Sequence, residues 1–184
     1  KTVGWFEWSG ILRSLITSYT DMAQATFLHM KVLAFNSTVF MLSSVLAFVA
    51  LGFVILFPIM IFFIIRGFDA HPELIYVKYE TLVEEYDVKK KAGRYFIPVW
   101  LVRRLVMCLS LVFLQGYPYM QINILCILVI GTIVHSWVYT PYKTTKENVC
   151  NTIMEILFGL IHAAIYVLIY DDHNPSFSEK RRPR

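Results

Sequence analysis

Apolar and polar residues alternate in long blocks along this chain, and the blocks predict helices that cross a bilayer. No charged residue occurs between Val32 and Ile65. The part from Val39 to Ile65 is longer than the roughly 20 residues that a spanning helix needs. Pro58 lies inside it and lacks a backbone N–H, so we expect a bend there and a neighbouring helix that satisfies the freed carbonyl.

Three further spans follow from the second half of the chain. The uncharged stretch from Leu105 to Tyr142 is too long for one crossing, and Gln115-Gly116-Tyr117-Pro118 favours a turn inside it. It therefore predicts a hairpin of two spans, Phe96 to Gln115 and Tyr119 to Tyr139. A last span covers Val149 to Tyr170.

Two segments have the two-sided pattern of amphipathic helices. From Ile11 to Met30 an apolar stripe opposes a polar stripe, which is typical either of an interfacial helix or of a fifth span with its polar side turned inward. From Arg66 to Tyr95 a helix starting near Pro72 would place its apolar side chains on one face, so we expect it to lie on the membrane surface. The apolar face of this second helix comprises Ile75, Tyr79, Leu82, Val83 and Tyr86.

These elements predict an all-α, polytopic transmembrane bundle of four to five spans, with an amphipathic interfacial helix in its main cytoplasmic loop. The expected divisions are 1–34 for the amphipathic or first spanning helix, 35–66 for a transmembrane helix, 67–95 for the loop, 96–170 for three transmembrane helices and 171–184 for a polar basic tail. The chain lacks an initiator Met, and we expect it to be a segment of a longer protein.

Composition and charge support a membrane protein and set its orientation. The chain is 57% apolar and 16% charged, against about 45 to 50% and about 25% in globular proteins, so the surplus must face lipid. Basic residues favour the cytoplasmic side, and the loop is rich in them: Lys89, Lys90, Lys91 and Arg94. Asn36 begins a weak glycosylation sequon on the other side, whereas the basic tail at 180–184 opposes this orientation.

The motifs of catalysis are absent from the sequence. It contains no phosphate-binding loop, no H-E-x-x-H, no nucleophile elbow and no paired C-x-x-C. We therefore expect no enzyme activity, no metal and no cofactor other than bound lipid. The net charge of +4 is dispersed in short clusters, so nucleic acid is not an expected partner.

Ionisable residues at membrane depth are the candidate functional sites, since burying their charge in lipid is costly. Asn151, Glu155 and His162 share one face of the last span with Gly159 and Tyr166. This face is either an ion or proton path or a hydrogen-bonded seam between helices, with Gly159 permitting close approach. Arg103 and Arg104 either reach lipid headgroups or form a salt bridge in which Asp21 partners Arg103.

Several short segments, in the same order along the chain, resemble the C-terminal polytopic region of very large ciliate surface proteins, which is similar to the transient-receptor-potential-like (TRP-like) membrane domain of fungi. The segments are Phe6–Arg13, Ser18–Tyr19, Tyr79–Leu82, Val102–Leu105, Pro118–Ile122, Tyr139–Lys143 and Asn151–Glu155. The resemblance implies a helical bundle that anchors a large extracellular or lumenal region in the plasma or ciliary membrane. Leu157, Phe158 and Gly159 replace the family's polar pattern after Glu155, so a complete pore is not expected.

The first functional hypothesis is an anchor or structural subunit that contacts lipids and the transmembrane helices of partner subunits. The alternative is a TRP-like cation channel or transporter subunit with its path along Glu155 and His162. A third and weaker alternative is an accessory subunit of a mitochondrial complex.

Overall fold

The computed structural model describes residues 3–33, 35, 37–67, 79, 82 and 84–173. At 3–9 and 171–173 it describes the backbone alone. Within these residues the chain forms six helices and one isolated antiparallel bridge, between Tyr86 and Tyr142. The helices are α1 (Val3–Lys31), α2 (Thr38–Arg66), α3 (Lys91–Arg94), α4 (Phe96–Phe113), α5 (Pro118–Tyr139) and α6 (Thr145–His173).

Local chemistry explains where the last two helices begin. Pro118 occupies the start of α5, where its missing N–H has no intrahelical acceptor to lose. Thr144 and Glu147 form a reciprocal capping box at the start of α6: the Glu147 N–H donates to Thr144 Oγ1 at 3.2 Å, and the Thr144 N–H donates to Glu147 Oε2 at 3.4 Å. This box starts α6 four residues before the predicted Val149.

The predicted all-α polytopic bundle is confirmed. Four helices are long and apolar enough to cross a membrane: α2, α4, α5 and residues Thr145–Tyr170 of α6. Their bounds agree with the apolar blocks to within a few residues, because each block ends at charged or turn-forming residues. Large apolar side chains remain exposed along these helices, as expected where the surroundings are lipid rather than water.

Helix α1 does not meet the hydropathy of a candidate span, yet it runs along α4. Arg13 contacts Glu84, which precedes α4, and Lys31 Nζ donates to Gln115 Oε1, which follows it. We call the end of the bundle near Glu84 the loop end. The rise from Arg13 to Lys31 is about 27 Å at 1.5 Å per residue, close to the thickness of the hydrocarbon core.

The main cluster of buried hydrophobic side chains lies where α1, α2 and α4 meet. Tyr19 of α1 stacks on Phe57 of α2 with ring centroids 5.8 Å apart, and Leu101 of α4 is fully buried. Helices α5 and α6 pack on each other, and α5 packs on α4. Thus α6 keeps most of its apolar surface exposed, which suits a helix at the periphery of the bundle.

The proline in α2 is compensated by a side chain of α1. Pro58 removes the N–H that would donate to the Val54 carbonyl one turn earlier. The buried Tyr19 hydroxyl donates to that carbonyl at 2.8 Å. The expected partner for the freed carbonyl is therefore present, and α2 continues as one helix through Pro58.

Replacing Tyr19 with Phe should lower the free energy of unfolding by about 1 kcal/mol, the usual value of a hydrogen bond. Pro58→Ala restores an N–H that can donate to Val54, so in that background Tyr19→Phe should cost much less. Equilibrium unfolding of the four proteins of this double-mutant cycle in bicelles measures the coupling. Equal costs in both backgrounds would contradict the compensation.

The amphipathic helix predicted in the loop lies mostly outside the described residues, which include only 67, 79, 82 and 84–95 of that region. Residues 84–90 run through bends and turns rather than a helix, and the short helix α3 follows them. Tyr86, expected on the apolar face of that helix, lies instead in the bridge to Tyr142.

Candidate functional site

A buried ion pair joins α4 to α6. Arg103 Nη1 donates to Glu155 Oε1 at 2.5 Å, and Nη2 donates to Oε2, so the guanidinium and carboxylate meet in a two-pronged arrangement. Their side chains are only 12% and 13% exposed. Arg103 lies about 10 Å from the start of α4, and Glu155 about 15 Å from the start of α6. The pair therefore neutralises two charges at membrane depth.

Hydrogen bonds extend this pair toward the loop end. One turn before Glu155, Asn151 Nδ2 donates to the hydroxyl of buried Ser136 on α5 at 3.0 Å, and its Oδ1 accepts from the Tyr142 hydroxyl at 3.3 Å. Asn148 donates to the carbonyls of Tyr142 and Thr144, both at 3.0 Å. The polar side of α6 is thus bonded to α5 and to the connection between the two helices.

The other end of the same face is closely packed. A Cβ added at Gly159 would lie 3.2 Å from Val129 Cγ1 of α5, so the absence of a side chain permits the close approach of these helices. His162 is buried, and its Nδ1 donates to the Phe158 carbonyl of its own helix at 2.7 Å. Asn151, Glu155 and His162 share an inward face, but each is bonded to protein.

The two arginines of α4 have different surroundings. Arg103 pairs with Glu155, and the alternative pairing with Asp21 is not formed; Asp21 is exposed on α1. Arg104 lies with its guanidinium carbon 4.6 Å from the ring centroid of Trp100, one turn closer to the loop end. Among the described residues, no carboxylate lies within ion-pair distance of Arg104.

A tight contact, which we call the loop clasp, joins residues 84–94 to residues 140–143 at the loop end. The Asp87 N–H donates to the Pro141 carbonyl at 2.8 Å, and the Lys143 N–H donates to the Glu85 carbonyl at 3.2 Å. Burial raises the pKa of the Tyr86 and Tyr142 phenols, whose rings lie 5.1 Å apart.

Gly93 lies at the centre of the loop clasp. A Cβ there would lie 2.8 Å from the Asp87 carbonyl carbon and 2.9 Å from the Pro141 oxygen, closer than carbon atoms pack. Only glycine lets α3 approach both backbone segments. The clasp connects the region between α2 and α4 to the turn between α5 and α6.

The basic residues of the loop divide between the clasp and the surface. Lys90 Nζ donates to Thr140 Oγ1 at 2.9 Å, and Arg94 Nε donates to the Val88 carbonyl at 2.5 Å. The side chains of Lys89 and Lys91 are exposed. Asn36 lies outside the described residues. Within the part of the chain that the structure describes, no three His, Cys, Asp or Glu side chains could share a metal ion.

Sequence reasoning selected Arg103 and Glu155 separately and missed that they bind each other. Their opposite charge could have indicated the pair, since Glu155 is the only formally charged residue predicted in the last span and Arg103 lies inside another span. No pattern in the sequence indicates the loop clasp or the role of Gly93.

Comparison with known proteins finds no relative of this chain: no protein-family model, curated protein or solved structure matches it.

Proposed function

We propose that this integral, multi-pass membrane protein is a structural module, which anchors a larger protein or complex through lipid and helix contacts. The observation that carries the proposal is the ion pair between Arg103 and Glu155. Ionisable side chains that line an ion path have to exchange partners with the passing ion or with water. Here the carboxylate is neutralised by a guanidinium that binds both of its oxygens.

The remaining polar groups of α6 support the same proposal. Asn151 binds Ser136 and Tyr142, and His162 binds a backbone carbonyl of its own helix. Interhelical hydrogen bonds and small residues at close contacts are the means by which membrane helices associate. The face of α6 that could have lined a path is thus used to hold the bundle together.

The contacts that support the proposal lie inside one chain, and they do not identify the membrane in which the protein resides. A plasma or ciliary location follows only from the resemblance to large ciliate surface proteins, and it stays a prediction. Contact with partner subunits likewise stays a prediction, for which α2 and α6 both offer exposed apolar surface.

A flux measurement tests the proposal against a channel. Purified protein reconstituted in liposomes should conduct neither K⁺ nor H⁺ above the level of empty liposomes, and Glu155→Gln should behave in the same way. An added ionophore provides the control that the vesicles hold a gradient. Cation flux in the wild type that changes in Glu155→Gln would replace the structural proposal with the channel alternative.

A further inference from the structure

The face of α4 that holds Arg104 lies between two helices and is only partly covered by them. Arg103 points to α6 through Glu155, whereas the Cys108 thiol donates to the Thr20 carbonyl of α1 at 3.7 Å. Between these two directions, a stripe with i, i+4, i+7, i+11 spacing carries Trp100, Arg104, Met107 and Leu111. All four side chains are partly exposed. We call this stripe the α4 groove.

The charge of the α4 groove is not balanced within the described part of the bundle. Arg103 and Glu155 cancel, which leaves the positive charge of Arg104 near the loop end of α4. Glu155 also attracts the Arg104 charge, but both of its oxygens are bound by Arg103. The Arg104 guanidinium itself lies over the face of the Trp100 ring, a contact that stabilises a cation without neutralising it. An anion beside Arg104 would therefore neutralise its charge.

The position of Arg104 identifies where that anion comes from. Side chains on a helix tilt toward its N-terminus, which for α4 is the loop end. The contact with Trp100 shows that the guanidinium reaches one turn in that direction, to within about 6 Å of the start of α4. This is the level at which long basic side chains meet lipid phosphates.

We propose that the α4 groove binds an anionic glycerophospholipid from the leaflet at the loop end. Its phosphate accepts charge-assisted hydrogen bonds from Arg104, and its acyl chains lie along Met107 and Leu111 toward the opposite leaflet. Arginine suits this role because its planar donors match phosphate oxygens. The site is independent of whether the module serves as an anchor or conducts ions.

Native mass spectrometry of the full chain, released from mixed bilayers of phosphatidylglycerol and phosphatidylcholine with identical acyl chains, tests the proposal. The wild type should retain phosphatidylglycerol in preference to phosphatidylcholine. Arg104→Gln should weaken that retention about tenfold, the effect of losing a charge-assisted hydrogen bond. Lys91→Gln removes one exposed charge of the same sign outside the groove and serves as the matched control, with retention unchanged.

A second variant and a competition measurement distinguish a lipid site from a site for free phosphate. Arg104→Lys keeps a phosphate-binding charge and should keep most of the retention, so it tests the site even if Arg104→Gln does not fold. Soluble glycerol phosphate should not displace the lipid if the acyl chains contribute to binding; displacement would identify a site for free phosphate instead. Absence of any lipid preference in the wild type, or equal losses in Arg104→Gln and Lys91→Gln, would overturn the proposal.

Discussion

Replacing Glu155 with Gln should lower the free energy of unfolding by about 3 kcal/mol. The substitution preserves the shape of the side chain but leaves the Arg103 charge without its counter-ion at a site that is about 12% exposed. Removing one partner of a buried ion pair typically costs about 3 to 5 kcal/mol, because the remaining charge stays desolvated. Equilibrium unfolding in lipid bicelles measures the loss.

Two controls isolate the pair from general effects of charge. Glu85→Gln removes the same charge from a 57% exposed side chain outside the membrane-spanning helices and should change stability by less than about 0.5 kcal/mol. Exchanging the two charges, as Arg103→Glu together with Glu155→Arg, should recover a large part of the stability that either single reversal loses. If Glu155→Gln were as mild as Glu85→Gln, the ion pair would not stabilise the bundle.

Replacing Gly93 with Ala should destabilise the protein by about 3 kcal/mol, the upper end for overpacking at a rigid contact. The added methyl would overlap backbone atoms of Asp87 and Pro141, and backbone cannot move aside as a flexible side chain can. We expect the loop clasp to open first, since hydrogen bonds on both sides of Gly93 depend on this approach. Amide hydrogen exchange of Asp87 and Lys143, whose N–H groups bond across the clasp, should accelerate.

Gly52→Ala is the matched control. Gly52 lies in α2, and a Cβ there meets no atom within 4 Å. Since Ala favours a helix over Gly by up to about 1 kcal/mol, this substitution should be neutral or stabilising. Similar losses in the two variants would indicate that Gly93 is not held by the contacts described.

The sequence determined the spans well because their signal is local. Uncharged runs longer than a bilayer crossing admit few alternatives, and Gln115 to Pro118 located the turn between α4 and α5. The orientation of α1 was harder to predict, because a polar stripe fits a surface helix and an inward-facing span equally well. Its contacts with both ends of α4 depend on the assembled bundle.

The candidate site could be predicted only in part, since it depends on how the helices are rotated and how far each is shifted along its axis. Arg103 and Glu155 lie 52 residues apart in the chain, and an offset of one turn would remove their contact. Spacing correctly placed Asn151, Glu155 and His162 on one face. It could not indicate that Ser136, Tyr142 and Arg103 would meet them there.

The bond from Tyr19 to Val54 bears on the order in which the bundle is assembled during synthesis. A nascent α2 that entered the lipid alone would expose the Val54 carbonyl to hydrocarbon, a state that costs several kcal/mol. Helix α1 is made first, and only six residues separate Lys31 from Thr38. Pairing with α1 therefore stabilises α2 in the bilayer, because the Tyr19 hydroxyl replaces the N–H that Pro58 lacks.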